Sequence, residues 1–544
     1  MNRLGVACCI VLIGLAGCAQ TAIDAFEPDW GEELDRERQR FRPTPTPAFS
    51  VDREPVDPSP TIDETGPLEV SLERTVMLAL ARNPDLRVAE LNPAIAGAFE
   101  LVERGVFDPE AFASASLGTE ESVETARSTG EQFAVRGDTR DFEAGVRQTL
   151  PSGTDVELSV SQERSASNRA PTQESARVGL TVTQSLLRGF GPAANLARVR
   201  QAELETQASR YELRGFTEAL VADAERAYWR FVLAGREIAI FERSLELARA
   251  QADEARQRVE VGVLPSSELA AFEVEVAIRE QALIDARAQE RAARLELLRL
   301  VGAMRPTSAL QLDRQVIATT MPEADSLIID DVSERIELAR LIRPDLAESR
   351  LRLEQNRLEV IATRRGLLPR LDVFVALGKT GFADSFGESI DNLSDSTFDA
   401  TVGVTFSQSL GRLAARGEQR AALASRQQAA AAIANLEQLV AFDVRVAINE
   451  LERARQQIDA SRTTRLLQER TAQAERERFE AGASTSLLVA QAQRDLLEAE
   501  IAEVATVIEY RFALIDLYLA EGSLLERRGI DIDAGLDDPI AAGR

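Results

Sequence analysis

The chain has 544 residues, 28% of them charged and 44% hydrophobic, with a formal net charge of −26 and no histidine. This is not a disordered composition. The acidity argues against nucleic acid as a partner, and the lack of histidine removes His-based triads, His acid–base catalysis and most zinc sites.

Arg3 followed by the apolar run Leu4–Leu15 reads as a targeting signal, too short to span a membrane. Leu15-Ala16-Gly17-Cys18 resembles a bacterial lipobox, in which small residues allow cleavage before a cysteine that then carries lipid. Ordinary signal cleavage nearby, with Cys18 incidental, is the other reading. By resemblance to bacterial lipoproteins, Ala19 in place of Asp after the cysteine implies sorting to the outer membrane. The expected layout is a signal peptide over 1–17 and a Pro-rich, lipid-anchored tether over 18–66. Loss of Cys8 and Cys9 with the signal leaves one cysteine and no internal disulfide. No run of 18 apolar residues follows residue 20, so a membrane-spanning part has to be a β-barrel.

The body repeats itself. Leu78-Ala-Leu-Ala-Arg-Asn-Pro-Asp-Leu86 recurs as Leu338-Ala-Arg-Leu-Ile-Arg-Pro-Asp-Leu346, and Pro109 recurs as Pro369, both 260 positions on. Each proline at 84 and 344 ends a short helix. Further along, Gly262 recurs as Gly482 and Gly302 as Gly522, 220 positions on, so the first repeat holds 40 extra residues. Most of them fall between Pro109 and Gln184, where the pattern changes to period two. Four strands are expected there: Ala111–Leu117, Phe142–Leu150, Val156–Ser161 and Val178–Thr183. The second repeat gives two, Leu371–Leu377 and Phe398–Phe406. Each has one apolar and one small or polar face, the pattern of a membrane barrel strand, although a half-buried soluble sheet alternates in the same way. The polar stretches Glu120–Arg140, Glu163–Arg177 and Gly378–Thr397 are expected to be external loops, with Pro151–Thr154 as a short inner turn.

A long helix follows each strand set. From Leu213 to Val259 the apolar seam steps by threes and fours with one stutter. The expected helices cover 193–260 and 412–480, with returning helices over 266–301 and 485–521. Between them sit two Gly-centred turns, Val259–Leu269 (VEVGVLPSSEL) and Phe479–Leu488 (FEAGASTSLL). A glycine in the left-handed conformation suffices to end a helix there. Val261, Gly262, Val263, Ala481, Gly482 and Ala483 offer small apolar surface at these turns. Glu268 lies in the first turn of a returning helix, where negative charge suits the helix dipole and Ser266 or Ser267 is the expected N-cap.

This twofold order of short helix, amphipathic strands, Gln-Ser-Leu, long helix, Gly turn and returning helix is similar to that of the TolC family of outer membrane factors, over about residues 68–525. The resemblance implies an α+β membrane protein: long antiparallel helical hairpins forming an α-barrel, transmembrane β-barrel strands, two internal repeats and a trimeric channel. The repeats are assigned to 67–302 and 333–525, with a linker over 303–332 and a tail over 526–544. The implied role is an outer membrane exit duct of a tripartite efflux or type I secretion system, extending into the periplasm. Implied partners are two further copies, a periplasmic adaptor, an inner-membrane transporter and outer membrane lipid. Adaptor docking at the two turns is likewise implied by the resemblance. No catalysis, metal or cofactor is expected beyond lipid on Cys18. Two departures stand out. The family usually has two strands per repeat, making twelve in a trimer, whereas four here would make eighteen unless the extra hairpin folds over the mouth. The family often carries Asp six residues after the tip glycine; here those positions hold Glu268 and Leu488, so a carboxylate ring at the pore would consist of Glu268 alone. A periplasmic adaptor or a structural coiled-coil lipoprotein of the envelope are the alternatives. An adaptor, however, would have one hairpin flanked by compact β domains.

Overall fold

The computed structural model describes residues 67–125, 127–302, 314–322, 331–394 and 397–530. The signal, the tether with Cys18, most of the linker and most of the tail lie outside the described residues. In chain order the elements are β1 (Leu68–Val70), α1 (Leu72–Arg82), α2 (Pro84–Ala89), α3 (Leu91–Arg104), β2 (Glu110–Thr125), β3 (Gln132–Leu150), β4 (Thr154–Ser167), β5 (Gln173–Ser185), α4 (Pro192–Asn195), α5 (Ala197–Glu260), α6 (Ser266–Leu300) and β6 (Val316–Ala318). The second half adds α7 (Val332–Ile342), α8 (Pro344–Gly366), β7 (Arg370–Ala383), α9 (Phe386–Asp391), β8 (Asp399–Ser407), α10 (Leu413–Glu480), α11 (Ser486–Glu521) and α12 (Leu524–Arg527).

The repeat is visible atom by atom. Ser71 caps α1, its Oγ accepting from Arg74 N at 3.0 Å, and Asp331 caps α7 by accepting from Ser333 N and Glu334 N. Asn83 breaks the helix before Pro84 and donates from Nδ2 to Leu300 O at 3.1 Å. Its counterpart Arg343, before Pro344, donates from Nη1 to Ala520 O at 3.2 Å. Each returning helix therefore ends against the Pro break of its own repeat. Gly302 (φ +63°) and Gly522 (φ +69°) make that approach possible: a Cβ on the first would sit 2.4 Å from Arg82 O, and on the second 2.9 Å from Arg343 Cα.

The chain divides into two compact units. One, over 95–208 and 349–432, contains a six-stranded antiparallel sheet in the order β2-β3-β4-β5-β7-β8. The number of strands is as read from the sequence, but they are longer. Glu120–Thr125 and Gln132–Arg140 continue the β2–β3 ladder where an external loop was expected, and Gly378–Ala383 extends β7. Backbone pairing does not need an apolar face, so the ladder outruns the alternation that revealed it.

The other unit, over 67–94, 209–348 and 433–530 among the described residues, is helical. Its core joins both repeats: Leu78, Tyr228, Leu298, Leu346, Val444, Leu451, Ile508, Leu517 and Leu524 are all buried in one cluster. β1 and β6 pair in parallel there, a short sheet with no signal in the alternation. Tyr228 straps β6 down: its hydroxyl donates to Thr320 O at 2.9 Å and accepts from Thr320 N at 2.8 Å. Burial also pushes the Tyr228 phenol pKa up, against those hydrogen bonds. At α5 the 64 residues extend roughly 96 Å at 1.5 Å per residue. No helix among the described residues is long and apolar enough to cross a membrane.

Candidate functional site at the paired helical turns and the apolar sheet face

At the end of α5, Gly262 N donates to Val259 O and Val263 N to Arg258 O. At the end of α10, Gly482 N donates to Phe479 O and Ala483 N to Arg478 O. This is the Schellman closure, and it requires the positive φ of 78° and 73° that the two glycines adopt. Val261 and Val263 stand 73% and 74% exposed, and Ala481 and Ala483 are exposed too. The turns thus bear small apolar side chains that stand exposed in the single chain.

Beneath them a small core links the two hairpins: Ala252, Ala255 and Phe272, with Leu264, Leu269 and Phe479 against it. The Phe272 and Phe479 rings meet edge-on at 5.8 Å. Deeper along α6, Glu275 and Arg279 are buried and form an ion pair at 2.5 Å, and Arg494 of α11 lies 3.6 Å from the same carboxylate.

The expected Ser266 or Ser267 cap is absent. Pro265 occupies the N-cap position in extended backbone, and the helix starts at Ser266. The proline fixes its own φ and gives up no needed donor, so it competes well for that place. Thr485 caps α11 without a side-chain bond. The donors left open there are met across the repeat: Glu268 Oε2 accepts from Ser486 N at 3.1 Å and from the Ser486 hydroxyl. Ser486 is buried and Glu268 half-buried. Sequence reading placed Glu268 in the first turn of α6 but missed Ser486, Phe272 and Phe479. The one available signal was an acid in one copy of the turn and a serine at the first helical position of the other. Leu488, its repeat counterpart, is half exposed.

The sheet carries the second candidate surface. One row of directly paired residues crosses all six strands: Ala111, Val146, Leu158, Leu180, Leu377 and Ala400. The same face holds Leu117, Phe142, Val160, Val178, Val402 and Val404, all exposed in the single chain. The opposite face reads Glu110, Arg147, Glu157, Thr181, Ala376 and Thr401 in one row. On that polar face Phe112 and Phe374 lie over Gly145 and Gly403, where a Cβ would come within 2.8 and 2.3 Å of the rings. A continuous apolar face backed by a polar, small-residue face is what a membrane barrel wall needs, with lipid on one side and water on the other.

The outer membrane efflux protein family matches residues 75–303 and 336–523, one segment within each half of the chain. Among solved structures, a membrane protein from Pseudomonas aeruginosa is similar over 85% of this chain and 93% of its own, at 21% identity and a TM-score of 0.63. The Campylobacter jejuni CmeC outer membrane channel matches at 17% identity over 85% of this chain and 90% of its own, TM-score 0.63. The open state of the Neisseria gonorrhoeae MtrE outer membrane channel matches at 19% identity over 86% and 94%, TM-score 0.58. No curated protein sequence matches the chain. With the family matching both repeats, the chain belongs to the outer membrane efflux proteins and is an exit duct of that fold.

Proposed function

We propose that the duct works as a homotrimer, lipid-anchored through Cys18, that receives cargo from an inner-membrane transporter by way of a periplasmic adaptor. The observation that carries this reading is the pair of like-built turns with exposed Val261, Val263, Ala481 and Ala483, set on helices far longer than a globular core needs. Small side chains there leave room for the tip of another helical hairpin, and the glycines hold the backbone in a fixed, repeated curve. The channel is passive, and the energy comes from the transporter.

In a trimer Glu268 would recur three times about the axis. We propose that it forms the narrow, negatively charged ring of the pore while also tying the two hairpins through Ser486. Purified protein in planar bilayers tests the reading. Discrete cation-preferring conductance is expected; no pore from a trimeric sample defeats it. Glu268→Gln should weaken cation preference or divalent block, and unchanged selectivity would remove the ring while leaving the duct. Mass spectrometry of the mature N-terminus, with Cys18→Ser as control, tests the lipid.

A further inference from the structure

The six strands form an open sheet. Among the described residues β2 and β8 each have one unpaired edge. Within hydrocarbon an open edge leaves N–H and C=O groups without hydrogen-bond partners, so the edges must be covered. Both edge strands carry the apolar face, Ala111 to Leu117 on β2 and Ala400 to Phe406 on β8. The β2–β3 hairpin is therefore dressed for lipid in the same way as the rest.

The stagger of the strands points to what covers them. The row of paired residues that starts at Glu110, the foot of β2, reaches β8 at Thr401. The foot of β8 is Ser407, six residues further down. Strand feet thus step by six residues over five neighbouring pairs. With about 3.3 Å per residue and about 4.8 Å between strands, that step corresponds to a tilt of roughly 40°, inside the range that closed barrels require. The apolar run shifts in the same sense. The row through Ala115 has left it by β4, at Gln162, and meets Gly381 on β7.

We propose that β8 of one copy pairs antiparallel with β2 of the next, foot to foot, so that Ser407 lies near Glu110 of the neighbouring copy. The β2–β3 hairpin is then a full part of the wall. This rests on the trimer reading: three copies of a six-stranded sheet close an eighteen-stranded barrel, about half again as wide as the usual twelve-stranded one. Carrying that step of about one residue across the junction puts Thr401 level with Leu117 of the next copy. The polar-face residues that flank this position, on the same face as Thr401, are Ser116 and Gly118.

The test is a disulfide scan of the full-length protein in outer membranes. Thr401→Cys with Ser116→Cys reports β8 against β2. Thr401→Cys with Ser161→Cys reports β8 against β4, the neighbour it would have if the β2–β3 hairpin folded away. Oxidation followed by non-reducing gels should convert the greater part of the first variant, but not the second or the wild type, to a covalent trimer. One residue pair of tolerance is covered by Ser114→Cys and Gly118→Cys in place of Ser116→Cys. Cross-linking only in the Ser161 variant overturns the eighteen-stranded wall and leaves the trimer standing. A trimeric native mass without cross-links at any of the β2 positions also overturns it. A monomer by native mass would overturn the trimer reading and this inference together.

Discussion

The carboxylate of Glu268 in the first repeat accepts hydrogen bonds from both the backbone N–H and the hydroxyl of Ser486 in the second. Two returning helices start side by side, and the acid of one supplies the missing cap of the other. A charge-assisted bond of this kind is worth about 1.5–3 kcal/mol. We expect Glu268→Ala to speed amide exchange at Ser486 by about tenfold or more, and Glu268→Gln to do so less. Unchanged protection of that amide in both variants would show that the tie carries no weight.

The four symmetric glycines should not be equally sensitive. A Cβ at Gly262 or Gly482 meets nothing within 4 Å, so alanine there costs only the left-handed backbone, about 1–2 kcal/mol. At Gly302 and Gly522 it also runs into Arg82 and Arg343. Thermal unfolding in detergent should therefore rank Gly302→Ala and Gly522→Ala well below the two tip variants. Equal losses at all four would contradict the close approach described for the Pro breaks.

Glu218 on α5 provides a pH dependence. Its side chain is buried, and Oε1 makes no hydrogen bond. Burial pushes the carboxyl up to about 8; Glu526 and Asp345 push the same way, and Arg214 and Arg343 oppose them. The folded state therefore holds a proton that the unfolded chain releases above its ordinary value near 4.5. The stability contributed by that proton is intact below about pH 4.5 and is lost as the pH rises to about 8. Glu218→Gln stays neutral throughout. It should match the wild type near pH 5 and exceed it at pH 8 by an amount on the order of 4 kcal/mol at most. A gap that does not grow with pH would rule this out.

The two faces of the sheet can be told apart by one charge moved by one residue. Leu180→Arg places a guanidinium on the apolar face, at a cost of about 2–4 kcal/mol near the bilayer midplane. Thr181→Arg places it on the polar face. The first should lower the yield of assembled protein in outer membrane fractions, and the second should leave it unchanged. The reverse order would invert the assignment of lipid and lumen.

The sequence legibly carried the helices. Where a seam of Leu213, Leu220 and Phe231 recurs at helical spacing, both ends fall within a few residues of those observed, because Gly and Pro punctuate them. The strands were found where valines alternate, as in Val178–Val182, and were cut short where both faces turn polar, as in Gln132–Arg140. The Ser486 partner of Glu268 stayed hidden because it is 218 positions away and depends on how two hairpins pack. The β1–β6 pair stayed hidden because three residues, LEV and VIA, are too few to show any period.

The pairing of β5 with β7 has a consequence for how the molecule is made. Ser185 faces Asp372, so this seam joins residues nearly two hundred positions apart, while β2 to β5 form a local meander and β7–β8 a local hairpin. Local pairs close quickly, and long-range ones wait for the intervening chain. As the chain emerges, the first four strands are complete well before β7 exists. Val178, Leu180 and Val182 then border a free edge, a template for pairing with any other unfinished strand. Synthesis of everything from α4 to α8 sets the length of that interval, so the time the nascent sheet spends with an open edge is written mostly into the helices between its halves.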